Sequence, residues 1–319
     1  MREAAFIKQN KPRWEEFEKI VKSNHRAHPD KLAELFTQVT DDLAFARTQY
    51  PESRTTRYLN DLASKVHLDI YKNKKEDKNR FITFWKDELP AVMYDVRRPL
   101  FYSLIIFLVA GMIGAVSARF DDTFVRLILG DGYVNMTLEN IKSGNPTKVY
   151  ASQSELMMFF TITWNNIFVA FRVFVFGFFA SIGTGLFLFY NGLMVGAFIM
   201  FFSQEQQLGH ALPVIMLHGT IELSSIVIAG AAGFVLGNGL LFPGTYSRLE
   251  SFKKGAVQGL KIVMGLVPFF IVAGFIESFI TRYAFMPLSI KVLIIGLSAI
   301  LMLYYFVIYP IRQKRYGKF

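Results

Sequence analysis

The chain lacks cysteine altogether and carries little charge for its length. Zero cysteine among 319 residues excludes disulfides and thiolate metal sites. Only 19% of the residues are charged, whereas 52% are hydrophobic, and a typical soluble domain is about 25% charged. The first 20 residues contain no apolar core, so the sequence predicts no cleavable signal peptide and an N-terminus that stays in the cytoplasm.

The little charge that is present is unevenly distributed. Residues 1–98 hold 36 charged side chains, and residues 99–319 hold only 24, with long uninterrupted apolar runs. This division excludes a soluble globular enzyme and intrinsic disorder. It predicts an all-α polytopic membrane protein with a cytoplasmic helical head at 1–98 and a transmembrane domain at 99–319.

The excess of basic residues has a membrane explanation. The net charge of +10 fits cytoplasmic loops that face anionic lipid, so membrane lipids and no nucleic acid are the expected partners. Apolar positions at helical spacing predict three helices and an elbow helix at 79–96. The apolar stripe of this elbow fits the membrane interface or, equally, packing on the head.

Apolar runs of about 20 residues predict the spans. Leu100–Ala118 is the first, and a polar segment at 119–154 is expected on the outer surface. The run at 155–202 provides either two spans or a re-entrant hairpin, because Asn165, Asn166 and Arg172 interrupt it. Three further runs make the total six spans, or four plus the hairpin; they are Ala211–Gly237, Gly259–Ile280 and Pro287–Tyr309.

Basic clusters determine the expected orientation. Lysine and arginine concentrate after the fourth and sixth spans, and the loop at 203–210 contains neither. Only an even number of spans leaves every basic cluster in the cytoplasm, as the positive-inside rule requires. Both termini are therefore expected in the cytoplasm, in a bacterial inner membrane.

An intramembrane polar site is the main functional candidate. His218 and Glu222 lie four residues apart within the fourth span, so they share a helix face. A carboxylate at membrane depth needs a partner, and Arg172 paired with Glu222 or Glu277 is the expected neutralisation. Three interpretations stay open: a structural network, a conduction or proton-relay site, and a metal site, for which no third ligand is evident. The full set of candidates is His218, Glu222, Arg172, Glu277, Asn165 and Asn166.

Small residues recur at four-residue intervals along the apolar runs, a spacing that lets helices approach closely within one chain or across a homodimer. Asn191-Gly192 is expected to break a helix or to form a tolerated kink. Gly219 and Gly233 are further packing positions. The sequence contains no nucleophile elbow, P-loop or dinucleotide motif, so no enzyme and no cofactor is expected.

Several segments resemble the long, stand-alone branch of the stage II sporulation protein M family. They are REAAFIKQNKPRWEEFE at the start, YPES with YLNDL (51–62), WNN with NG (164–192), HGTIELSSIVIAGAAG (218–233) and PFFIVAGFIESFITRY (268–283). The resemblance implies an all-helical membrane protein that works with protein partners in cell-envelope remodelling. It matches at His218, Gly219, Glu222, Asn191, Gly192 and Glu277, to which the family assigns no role.

Two functions follow as hypotheses. The first is a non-enzymatic membrane scaffold that docks membrane or cytoplasmic partners. The second is a channel or transporter that uses the His/Glu/Arg site. A hydrated path past Glu222 favours transport, whereas a closed bundle favours the scaffold.

Overall fold

The computed structural model describes residues 2–22, 29–72, 80–144, 154–281 and 286–317, and it is helical throughout these ranges without a strand. The chain forms two compact units, residues 1–80 and 81–319. We call them the N-terminal unit and the bundle. The predicted all-α class is confirmed.

The N-terminal unit contains helices α1 (Glu3–Lys22), α2 (Pro29–Gln49) and α3 (Arg54–Lys72). Its core is apolar and includes Trp14, Phe17, Val39 and Leu59. The indole of Trp14 donates to Asp42 Oδ2 at 2.8 Å, so the large buried ring keeps its polar atom satisfied. Ser53 caps α3, because its hydroxyl accepts the Thr56 N–H at 3.1 Å.

Within the described residues of the bundle, six helices are long and apolar enough to cross a membrane. The stretch at 155–202 forms two of them, joined at Ala180 and Ser181 in the left-handed region. Both helices are long and apolar enough to cross a membrane, which favours the six-span alternative over the re-entrant hairpin. The span-forming helices are α6 (Arg97–Phe120), α9 (Glu155–Val175, extended by a 3₁₀ turn at Phe176–Phe178), α10 (Ile182–Gln204), α11 (Leu208–Leu241), α12 (Arg248–Phe275) with a π-helical turn at Ile276–Ile280, and α13 (Leu288–Leu303) continued by Tyr304–Ile308 and α14 (Tyr309–Arg315).

Glycine contacts set the direction of neighbouring spans. A Cβ at Gly192 would lie 2.5 Å from Phe107 O, and one at Gly196 would overlap Gly111 O, so α6 and α10 run parallel. Contacts of Gly255 with Val235 O and of Gly259 with Ala232 O make α12 antiparallel to α11. We name the two ends of the bundle after the first span, the Arg97 end and the Phe120 end.

The expected helix break at Asn191-Gly192 is wrong. Both residues lie inside the continuous helix α10, and Asn191 Nδ2 donates to Phe187 O at 2.8 Å. Gly192 is there for close packing on α6, as is Gly233 against Thr184 and Val173 O. The four-residue glycine spacing thus serves packing within one chain.

The elbow packs on the bundle. It comprises α4 (Arg80–Thr83), a π-helical turn at Phe84–Glu88 and α5 (Leu89–Asp95). Leu89 and Met93 are fully buried in the core shared with α12 and α13. Lys261 Nζ lies 2.6 Å from Glu88 Oε2 and links α12 to the elbow.

Pro90 explains how the elbow is held. Proline has no N–H, so Trp85 O and Lys86 O receive no helical hydrogen bond from residue 90. The Tyr305 hydroxyl donates to Trp85 O at 2.7 Å, and Gln313 Nε2 donates to Lys86 O at 3.0 Å. Side chains of the last span thus satisfy the carbonyls that Pro90 leaves free.

The segment after the first span forms two short helices, α7 (Asp122–Leu129) and α8 (Asp131–Lys142). Asp121 caps α7 by accepting the Thr123 N–H at 2.8 Å, and hydrogen bonds from the Thr123 hydroxyl and then from this N–H hold the pKa of the Asp121 carboxyl below its usual value. Val125 and Val134 bury against Phe201 and Phe202 near the end of α10. The remainder of the predicted outer segment, 145–153, lies outside the described residues.

Candidate functional site

The site lies on α11, the most buried span, toward the Phe120 end. His218 is 4% exposed, and Glu222 follows it by one helical turn. At 1.5 Å per residue, the two are about 15 and 21 Å along α11 from its first residue. They therefore sit at membrane depth if this helix crosses the bilayer.

The neighbouring span contributes Glu277 through a π-helical turn. Since α12 runs antiparallel to α11, its last residues pack beside the first half of α11. The N–H of Thr281 bonds Ile276 O at 2.8 Å, an i to i+5 bond that widens the turn. Turns of this kind occur frequently at functional sites.

Three ligand-type side chains converge here. His218 Nε2 lies 3.6 Å from Glu277 Oε1. One ligand atom from each of His218, Glu222 and Glu277 lies within 4.8 Å of the other two. The structure thus brings together three of the predicted residues, although 55 positions separate Glu222 on α11 from Glu277 on the next span.

Two further polar side chains hold this group in place. Asn166 Nδ2 on α9 donates a short hydrogen bond to Glu222 Oε1. The Thr281 hydroxyl donates to Ile276 O at 3.1 Å and lies 3.3 Å from His218 Nδ1. The predicted polar partner of Glu222 is therefore present, but it is an amide.

The expected pairing of Arg172 with Glu222 or Glu277 does not form. Arg172 follows Asn166 by six residues on α9, about 9 Å farther along the helix axis. Its exposed guanidinium lies over the Phe168 ring at 4.2 Å. Asn165 is also exposed.

A cavity of about 380 Å³ adjoins the group. His218, Gly219 and Glu222 form its polar wall, and apolar side chains of α10 and α11 form most of the rest. Leu129 and Tyr133 contribute from the two short helices at the Phe120 end. A molecule in the cavity would thus meet one imidazole, one carboxylate and the Tyr133 side chain in otherwise apolar surroundings.

Sequence reasoning missed two parts of the site. Thr281 stands in the IESFIT segment, four residues after Glu277, but a threonine in an apolar run carries no distinctive signal. Tyr133 belongs to a polar segment whose packing against α10 no periodicity indicates. Both depend on how separate elements meet in space.

Comparisons with known proteins cover both units. The family described as Stage II sporulation protein M matches residues 103–282, more than half of the chain. A second family, described as a domain of unknown function (DUF8413), matches residues 4–72. No curated protein and no solved structure matches the chain.

Proposed function

Because the chain belongs to the stage II sporulation protein M family, we propose that this membrane protein is a non-enzymatic scaffold. In this proposal the bundle anchors the chain in the membrane, and the N-terminal unit docks protein partners. The single observation that carries it is the closed packing of α11 between Glu222 and the Arg97 end.

Much of that half of α11 is buried by its neighbours, and the second cavity that borders it, from Leu223 to Ile228, is lined almost entirely by apolar side chains. Ser225, Ala229, Ala231 and Ala232 are fully buried. A Cβ at Gly230, Gly233 or Gly237 would overlap side-chain or backbone atoms of the adjoining spans. On α11 the cavity beside Glu222 is lined only from Leu212 to Leu223. Conduction needs a continuous hydrated path, so this arrangement favours an anchor.

The elbow supports the same proposal. It is fixed to the bundle by the Lys261–Glu88 pair and by hydrogen bonds to Trp85 O and Lys86 O. An elbow held on the bundle in this way suits a membrane anchor. The separate family matches to 4–72 and 103–282 are in keeping with two modules in one chain.

The test is partner capture from the native membrane with the full chain. After cross-linking in cells, a scaffold should co-purify a defined partner in fixed ratio, and Glu222→Gln should leave that ratio unchanged. Two charge exchanges probe the N-terminal unit: Lys11→Glu with Glu15→Lys, and Glu16→Lys with Lys31→Glu. Each exchanges the members of an existing ion pair, so net charge is kept, and at least one should reduce capture.

Exposed lysines of the bundle provide the matched control. Lys253→Glu changes a charge at the surface of α12 and should not alter capture of a partner docked on the N-terminal unit. Equal capture by all variants would contradict docking on that unit.

The cavity beside His218 and Glu222 favours a second candidate, translocation of protons or small ions. Purified chain in liposomes with a pH-sensitive dye inside would distinguish the two. Proton flux that Glu222→Gln abolishes would replace the scaffold by a transporter.

A further inference from the structure

We propose that His218, Glu222 and Glu277 bind a divalent transition-metal ion of the zinc type between α11 and α12. This site is independent of the scaffold function. The three residues come from two neighbouring spans, so a bound ion would join them.

The spacing of the donor atoms fits such an ion. Zinc bonds to histidine nitrogen and carboxylate oxygen measure about 2.0–2.2 Å, which places neighbouring donors of a tetrahedron about 3.4 Å apart. His218 Nε2 and Glu277 Oε1 are 3.6 Å apart. The third donor, from Glu222, lies within 4.8 Å of both.

The hydrogen bonds of His218 orient a lone pair toward the carboxylate. The Thr281 hydroxyl lies 3.1 Å from Ile276 O and 3.3 Å from His218 Nδ1; with its proton directed to Ile276 O, we assign to His218 the tautomer that carries its proton on Nδ1. In this tautomer Nε2 is the unprotonated nitrogen, and it faces an oxygen of Glu277. Two acceptors that face each other require a cation or a proton between them.

The negative charge of the group also favours a bound cation. Glu222 and Glu277 lie side by side in the bundle, and within the described ranges no lysine or arginine forms an ion pair with either. Lys261 is engaged by Glu88 and Arg172 lies over Phe168. Isolated charges inside a membrane protein cost free energy, and a divalent cation would neutralise both carboxylates at once.

The surroundings resemble those of a metal centre with an open position. Metal-binding histidines commonly donate their other ring N–H to a fixed acceptor, and binding carboxylates are themselves hydrogen-bonded. Thr281 and Asn166 fill these two roles. The cavity on the side of His218 and Glu222 gives a fourth ligand room to bind.

The donor set selects the class of ion. Magnesium and calcium prefer six or more oxygen ligands, whereas one imidazole with two carboxylates suits zinc and its neighbours in the first transition row. With no cysteine in the chain, thiolate sites cannot compete for the ion. Zinc chloride is therefore the probe.

The experiment measures zinc binding by the full chain, purified in detergent through a tag without histidine. After treatment with a chelator and dialysis, the wild type should bind one zinc ion per chain in equilibrium dialysis with elemental analysis. His218→Ala and Glu277→Gln should reduce binding to background. Asn166→Ala, which removes only a support of Glu222, should weaken affinity about 10–100-fold.

Matched controls use exposed residues of the same types. His210→Ala on α11 and Glu250→Gln on α12 lie outside the group and should bind zinc as the wild type does. Zinc should also raise the melting temperature of the wild type and of both controls, because a ligand that binds only the folded state stabilises it. It should not raise that of His218→Ala.

The wild type alone can overturn the proposal, whether or not the variants fold. Absence of stoichiometric binding, with a melting temperature that zinc does not change, would refute the metal site. Undiminished binding by His218→Ala and Glu277→Gln would also refute it, because the zinc would then be bound elsewhere.

Discussion

Two glycines of α10 give the sharpest test of the packing. A Cβ at Gly196 would overlap Gly111 O of α6, a backbone atom that cannot rotate away. At Gly185, on the same helix, a Cβ would meet nothing within 4 Å. Gly196→Ala and Gly185→Ala therefore add the same methyl group to one helix with opposite consequences.

The magnitudes follow from two competing terms. Alanine in place of glycine inside a helix stabilises by about 1 kcal/mol. Overpacking costs about 1–3 kcal/mol, and we expect the upper end where the obstacle is backbone and two helices must separate. Gly185→Ala should thus stabilise by up to about 1 kcal/mol and Gly196→Ala should destabilise by about 2 kcal/mol.

Thermal unfolding in detergent checks this difference of about 3 kcal/mol. For a domain of the size of the bundle, 1 kcal/mol corresponds to about 2–4 °C, so the variants should melt about 6–12 °C apart. Equal melting temperatures would refute the close contact of α6 and α10. A Gly185→Ala variant less stable than the wild type would show that this position is packed against another surface, such as a second copy of the chain.

Three further predictions follow. Tyr305→Phe leaves Trp85 O without its donor and should lower the free energy of unfolding by about 1–3 kcal/mol. Tyr304→Phe, at the exposed neighbouring position, should leave it unchanged. Equal melting temperatures of the two variants would contradict the role of Pro90. Burial and the hydrogen bond to Glu18 raise the pKa of Tyr58 to about 12. An unfolded tyrosine ionises near pH 10, so the N-terminal unit should lose stability as the pH rises from about 10 to 12, and Tyr58→Phe should lessen that loss. The fluorescence of Trp14 reports this unfolding once the other two tryptophans are replaced by Trp85→Phe and Trp164→Phe. In intact cells an impermeant maleimide should label Ser203→Cys but not Tyr316→Cys; the reverse would invert the predicted topology.

The sequence alone predicted those structural features that depend on a single segment of the chain. Apolar run length predicted six spans, and four-residue spacing predicted both the shared face of His218 and Glu222 and the glycine contacts between helices. The choice between two spans and a hairpin at 155–202 was open, because Asn166 and Arg172 looked like interruptions of one kind. They differ in what they meet: Asn166 faces Glu222, and Arg172 ends in an exposed position over Phe168.

The rest of the site depends on which helices are neighbours. Electrostatics predicts that a buried carboxylate needs a polar or charged partner. The sequence around the carboxylate does not show which span provides that partner. The third ligand-type residue, Glu277, lies on a span whose antiparallel packing against α11 is set by Gly255 and Gly259, many turns away. The sequence therefore contained the ligands of the candidate site without showing that they meet.

The π-helical turns of the described residues differ in whether a proline accounts for them. The turns at Phe84–Glu88 and Tyr304–Ile308 both end one residue before an X-Pro step, at Pro90 and Pro310. The proline ring clashes with the preceding turn of a helix, and a wider turn relieves the clash. The turn at Ile276–Ile280 has no proline in the corresponding place, since residue 282 is arginine. Its widened geometry coincides with the position of Glu277 beside His218, so this turn differs from the other two in lying at the candidate site.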